Sequence, residues 1–159
     1  MVDLPQAISR PITKDLEIRR ATPDDLGEVL RLLSQMHDEP TDSYGAVSGE
    51  TFHAILRDPA RALLVAVRNE SVSGTLDLFV MENLTRGGRP WAGIENLVVD
   101  AESRREGIAS ALIQTALDLA REVGCYKVQL VSHERRSAAH DLYRRAGFEV
   151  PVRGYRRYL

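Results

Sequence analysis

The run IENLVVDAESRREGIASALIQTALDLAREVG, residues 94–124, changes its periodicity once, and that change decides the fold class. Its first six residues are mostly apolar with β-branched side chains, the composition of a strand. From Ile108 onward the period is helical: Ile108, Leu112, Leu119 and Val123 share one face, Ser110, Gln114, Asp118 and Arg121 lie opposite, and Gly124 supplies the stop. Between them stands RREG, residues 104–107, at the mouth of the helix. A strand feeding such a turn points unpaired helix N–H groups outward, where the helix dipole favours negative charge. Arg104 and Arg105 add charge-assisted donors, and Gly107 removes a side chain where backbone must approach an anion. The spacing alone leaves two readings, an anion cradle and a solvated basic turn. Neither GxGxxG nor GK[ST] occurs there, which excludes the dinucleotide fingerprint and the P-loop.

Outward from this stretch the chain alternates elements. LEIRR reads as a strand, and ATPDDLGEVLRLLSQMH as a helix with Thr22 as N-cap, Pro23 at its first position and Asp24 and Asp25 in its first turn. DEPTDSYGAV has turn composition, and Ser48 can cap a short second helix through SGETFHAILRD. RALLVAVRN and SVSGTLDLFVMEN are strand-like runs joined tightly at Asn69 and Glu70, an antiparallel hairpin. After Gly124, CYKVQLVS reads as a buried strand, SAAHDLYRRAG as a helix ended by Gly147, and FEVPVRGYRRYL as closing strand material. The order predicts a mixed α/β (α+β) domain over 16–159. Residues 1–15, with Pro5 and Pro11 and no sustained period, are expected to form a flexible leader, disordered or draped on the surface.

A chain of 159 residues with net charge −2, 43% hydrophobic and 28% charged residues gives no global electrostatic reason to expect nucleic acid or an anionic membrane, so any anion site is local. No apolar run approaches the roughly 18 residues of a membrane span, and the N-terminus lacks the features of a signal peptide, so a cytoplasmic location is expected. The single Cys125 cannot form an internal disulfide and reads as a small core residue. His37, His53, His133 and His140 show no HxxxH pair and no nearby cysteine, so no metal is expected.

VVDAESRREGIASAL resembles the acetyl-CoA motif of the GNAT superfamily of N-acetyltransferases: Arg or Gln, two residues, Gly, one residue, Gly or Ala. Arg104, Gly107 and Ala109 occupy those positions. The family's second signature, an Ala followed by a helix carrying LY and then GF, appears as AAHDLYRRAGF, with CYKVQLVS between the motifs. Three departures stand out: Arg105 and Ala109 where many members carry glycine, and Arg136 where many carry asparagine.

The resemblance implies a single, mainly antiparallel central sheet of six to seven strands flanked by about four helices. It implies an acyltransferase moving an acetyl group from acetyl-CoA to a primary amine by direct transfer in a ternary complex. The alternative is an inactive acyl-CoA-binding sensor of the same fold. The backbone of Leu97, Val98 and Val99 would pair with the pantetheine arm, and the amides of Arg104, Arg105, Glu106, Gly107, Ile108, Ala109 and Ser110 would wrap the pyrophosphate. Tyr143 falls on the tyrosine that faces the cofactor sulfur, as proton donor or as hydrogen-bond donor. Glu95 is the candidate base, because a carboxylate inside the apolar strand IENLVV is costly to bury without a partner or a purpose; a structural role, paired with an arginine or lying at a wet strand end, is the other reading. Asp38, Glu39 and Asp42 lie where members shape the acceptor pocket, and GIENLVVD with CYKVQL is similar to the amino-sugar-phosphate branch. Many members dimerise, so a homodimer is among the expected assemblies.

Overall fold

A computed structural model gives the structure of the protein and describes residues 2–36, 49–149, 154–155 and 157–158. One six-stranded sheet is built from β1 (Ser9–Pro11), β2 (Leu16–Arg20), β3 (Arg61–Arg68), β4 (Ser71–Met81), β5 (Trp91–Val99) and β6 (Val128–Leu130), in sequence order. Neighbours are antiparallel from β1 to β5, whereas β5 and β6 run parallel. A parallel pair needs a crossover, and α3 (Ile108–Glu122) supplies it. The other helices are α1 (Leu26–Ser34), α2 (Gly49–Arg57) and α4 (Ser137–Arg145). The β3–β4 hairpin turns at Asn69 (φ 47°) and Glu70 (φ 66°), the two consecutive left-handed residues of a primed turn.

Strand alternation sorts the apolar side chains onto two faces. Leu64, Ala66, Leu76, Leu78, Ala92 and Ile94 pack with Ile108, Leu112, Ala116 and Leu119 of α3. Leu63, Val65, Val72 and Val98 pack with Val29 and Leu32 of α1 and Phe52 of α2. Close approach of α3 requires Gly74 on β4: a Cβ there would stand 3.0 Å from Ile108 and 3.2 Å from Leu112.

Residues 2–15 depart from the expected leader. Leu4 and Ile8 are buried in the α3-side core, β1 pairs with β2, and the Leu4 amide donates to the Pro59 carbonyl at 2.8 Å. Arg10 reaches Asp118 at 3.2 Å and Glu122 at 2.6 Å on α3. Two apolar residues make no readable period, and the partners that hold them lie far along the chain. At the other end, Phe148 and Glu149 are not in a strand, and the rest of the expected closing strand falls largely outside the described residues, as do Ser48 and the acidic loop of Asp38, Glu39 and Asp42. The strand expected over CYKVQLVS shortens to Val128–Leu130.

The first helix begins as a 3₁₀ turn over Pro23–Asp25. Buried Asp25 accepts from the Thr22 amide at 2.6 Å and from both terminal nitrogens of Arg19, at 2.7 and 2.9 Å. Burial by itself would raise this carboxyl, but Arg19 and Thr22 outweigh it and hold the pKa below the usual range. A depressed pKa contributes stability that is complete above the unfolded value near 4 and is lost as pH falls through the folded value. Asp25→Asn is therefore expected to cost about 1–3 kcal/mol at pH 7, and its melting difference from wild type should shrink below about pH 4. A difference constant down to pH 2.5 would remove the ion pair as its cause. Gly93 lies under the Phe79 ring, where a Cβ would fall 2.1 Å from the nearest ring carbon. Gly93→Ala should lower stability in urea by about 1–3 kcal/mol; an unchanged midpoint would mean that the ring moves aside freely.

Candidate active site

The site is organised by an irregularity in β5. Thr75 pairs with Val98 and Asp77 with Glu95, so Leu76 alone faces the two residues Asn96 and Leu97. Two residues against one is a β-bulge, and Asn96 takes the left-handed conformation (φ 55°) that asparagine tolerates better than most residues. The extra residue resets the alternation: Ile94 packs on the α3 side, but beyond the bulge Leu97 and Val99 face that side and Val98 faces α1. The parallel ladder with β6 ends nearby, at Ile94↔Leu130. From Glu95 to Val99, β5 is therefore paired with β4 alone, and a fork opens between β5 and β6.

At one end of the fork, Asp100 turns the chain by accepting from the Glu102 amide at 3.0 Å. Helix α1 pins this turn. Arg31 pairs with Asp100 and donates to the Val72 carbonyl at 3.0 Å, while Gln35 accepts from the Ala101 amide at 3.0 Å. The Arg31 guanidinium, followed by the Glu102 amide, holds the Asp100 carboxyl below its usual range. Left-handed Arg105 (φ 66°) and Gly107 (φ 83°) then bring the chain into α3. Gly107 is the N-cap and offers no side-chain acceptor, so the first-turn amides of Ile108, Ala109 and Ser110 carry no side-chain cap. A Cβ at Gly107 would meet nothing within 4 Å apart from its chain neighbours, so the space beside the start of α3 is open. Arg104 and Arg105 are exposed beside it. The Glu106 carboxylate is engaged by Arg68, and the Ile108 side chain is buried in the core, which leaves these two only their backbone to offer.

Helix α4 carries Tyr143. Its ring packs on the α3-side core and meets Phe148 edge-on, with centroids 6.1 Å apart. Burial pushes the hydroxyl pKa above the usual phenol value; Arg136 pulls it down and Glu95 pushes it up, so both charges act electrostatically on it. Glu95 corrects one premise of the sequence reading: it is exposed, not buried, because it points away from the core that receives Ile94. Its cross-strand neighbour Asp77 is buried and paired with Arg61, whose Nε lies 2.9 Å away. Glu95 has no ion-pair partner among the described residues.

Two long-range contacts here escaped the sequence. Arg136 donates to the Met36 carbonyl at 2.8 Å, tying α4 to the end of α1. Arg31 and Gln35 sit on a helix that precedes their loop by some 65 to 69 residues. No local pattern records such contacts; the sole signal was an aspartate closing a strand before a turn, a common Asx-turn placement. Among the described residues there is no group of three or more His, Cys, Asp or Glu that could hold a metal ion, and no helix is long and apolar enough to cross a membrane.

An uncapped helix N-terminus thus follows a bulged strand whose parallel pairing has ended. The sequence pattern of the Acetyltransferase (GNAT) family matches residues 28–148, and the chain belongs to that family. It is 32% identical over 147 residues to a glucosamine 6-phosphate N-acetyltransferase of Trypanosoma brucei brucei, covering 89% of this chain and 95% of the relative. It is 31% identical over 134 residues to an aminoalkylphosphonate N-acetyltransferase of Salmonella typhimurium, covering 84% of each. A solved putative acetyltransferase from Agrobacterium tumefaciens superposes with a TM-score of 0.82 at 31% identity, covering 89% of this chain and 99% of that one. The expected mixed, mainly antiparallel fold is thereby confirmed, and the protein is an acyltransferase. The family implies acetyl-CoA as the donor.

Proposed function

We propose that the protein transfers an acetyl group from acetyl-CoA to a primary amine, directly, within a ternary complex. The observation that supports this reading is the uncapped start of α3 behind left-handed Arg105 and Gly107, following a strand whose pairing with β6 ends at Ile94. The pyrophosphate fits the open space before α3, held by the amides of Arg104 to Ser110 with Arg104 and Arg105 as counter-charges. The backbone of Leu97, Val98 and Val99, unpaired on its β6 side, offers strand-like hydrogen bonds to the pantetheine amides.

Bound acetyl-CoA supplies the acyl carbonyl that a free amine attacks, with loss of the thiolate. Tyr143 serves that departure as a hydrogen-bond donor. A model phenol near pKa 10 already lies above a thiol near 8.5, so complete proton transfer is uphill by about 2 kcal/mol. Burial raises the phenol further and widens the gap. Glu95 serves the other partner. An amine of pKa near 10.4 is free in only about one molecule in 2,500 at pH 7. An exposed carboxylate with no ion-pair partner among the described residues attracts the ammonium and passes its proton to solvent through water.

The acceptor we infer is an amine that also carries a phosphorus oxyanion, the chemistry named for the trypanosomal and Salmonella relatives. Arg136, acting on the same tyrosine as Glu95, supplies a cation on that side.

The test is acetyl-CoA-dependent thiol release across amino-sugar phosphates, aminoalkylphosphonates, polyamines, amino acids and lysine peptides, with products confirmed by mass. Amine-dependent release, greatest with the phosphorylated or phosphonated amines, is expected; no release with any amine would overturn the proposal. Tyr143→Phe should lower kcat by about tenfold, the value of one hydrogen bond made at the departing sulfur, with little change in KM. An unchanged kcat in the folded variant would remove Tyr143 from the reaction. Glu95→Gln should flatten the acidic limb of the kcat/KM profile; an identical limb would assign the proton transfer to another group.

A further inference from the structure

A cavity of about 580 Å³ lies at the end of β2, lined by residues 6–9, residues 19–23 and α2. That volume is in the range of small-molecule sites. Its charged lining is of one sign: Arg19, Arg20, His53 and Arg57 contribute, and no carboxylate does. Arg19 is spent on Asp25 within the protein. Arg57, in the last turn of α2, is exposed and makes no hydrogen bond or ion pair among the described residues. His53 stands one turn before it, on the same side of the helix.

Arg20 is the telling member. Its Nε donates to the Pro5 carbonyl at 3.0 Å and its Nη2 to the Arg61 carbonyl at 2.8 Å, which fixes the half-buried guanidinium. Its Nη1 has no acceptor, and no carboxylate pairs with the group among the described residues. Burial pulls its pKa down, and Asp58 offsets this only from a distance. A cation withdrawn from water is ordinarily matched by an anion. Ala7, Ile8, Ala21, Pro23 and Leu56 supply most of the remaining lining, which suits an apolar body behind the anionic group. None of these residues belongs to the proposed acetyl-transfer site, and β3 and β4 separate β2 from β5, about 14 Å at the usual strand spacing.

We propose that this cavity is a second ligand site, for a small phosphomonoester with an apolar body, its phosphate held between Arg20 and Arg57 with His53 as a further donor. Two cations without protein counter-charges match a dianion, and guanidinium groups pair with phosphate oxygens. A ligand held there ties the N-terminal segment to α2 and raises the melting temperature by mass action.

The test uses phenyl phosphate, benzoate and phenol, titrated by calorimetry into the full chain saturated with CoA, which fills the proposed donor site. Phenyl phosphate should bind, benzoate more weakly and phenol not at all, and the backbone amide NMR signals of Ser9, Ala21 and Arg57 should move. Arg57→Gln, at an exposed position, should keep the melting temperature and weaken phenyl phosphate by about tenfold to a hundredfold, the value of a hydrogen bond to a charged group. His53→Ala should weaken it by a smaller factor. No binding of phenyl phosphate, equal binding by wild type and Arg57→Gln, or signal changes confined to residues 104–110 would each overturn the inference, and each leaves the acetyl-CoA reading standing.

Discussion

Asn96, held at φ 55° within β5, inserts the one residue on which the functional half of the molecule depends. A regular strand would keep Ile94, Asn96 and Val98 on one face; the bulge turns Val98 toward α1 and gives Leu97 and Val99 to the α3 side. It lies just beyond the point where the parallel ladder with β6 stops. A crossover helix normally covers a strand pair that stays zipped. Here the β5–β6 pairing ends at Ile94, before the chain reaches the uncapped N-terminus of α3.

The rest of the framework holds that opening in shape. Gly74 lets α3 sit tightly over β4, which fixes where its first-turn amides lie. Arg31 and Gln35 of α1 clamp Asp100 and Ala101 from the opposite side of the sheet, so the turn into RREG is tied to both layers. Arg136 links α4 to the end of α1 in the same way. A loop carrying two arginines in succession, one in the left-handed region, is costly to order by local preference alone. Long-range ion pairs and hydrogen bonds supply the order that the loop lacks. They lie outside the proposed ligand contacts and prepare the site before any ligand arrives.

The hairpin at Asn69 and Glu70, the helical stripe of Ile108, Leu112 and Leu119, and the stops at Gly124 and Gly147 were all legible from local pattern, because hydrophobic period and turn chemistry act over a few residues. The RREG turn was legible for the same reason: an uncapped helix start beside arginines is a local fact. The N-terminal segment was not. Leu4 and Ile8 gain their burial from β2, β3 and α3, and Arg10 pairs with residues 108 and 112 positions away. Glu95 was found by its type, but the burial assumed for it was wrong, since strand alternation decides exposure and one strand by itself does not reveal which face is covered.

The sequence by itself determined the order of elements from β2 to α4 and the two family motifs, and with them the candidates Tyr143, Glu95 and the residues of the proposed anion cradle, all carried by short-range spacing. Tertiary structure alone decided that Arg31 would pin Asp100 and that Arg136 and Glu95 would act on one tyrosine. Both depend on how strands far apart in the chain are registered and where the β5–β6 ladder ends. Register is set by the summed packing of both sheet faces, a quantity that no window of sequence contains.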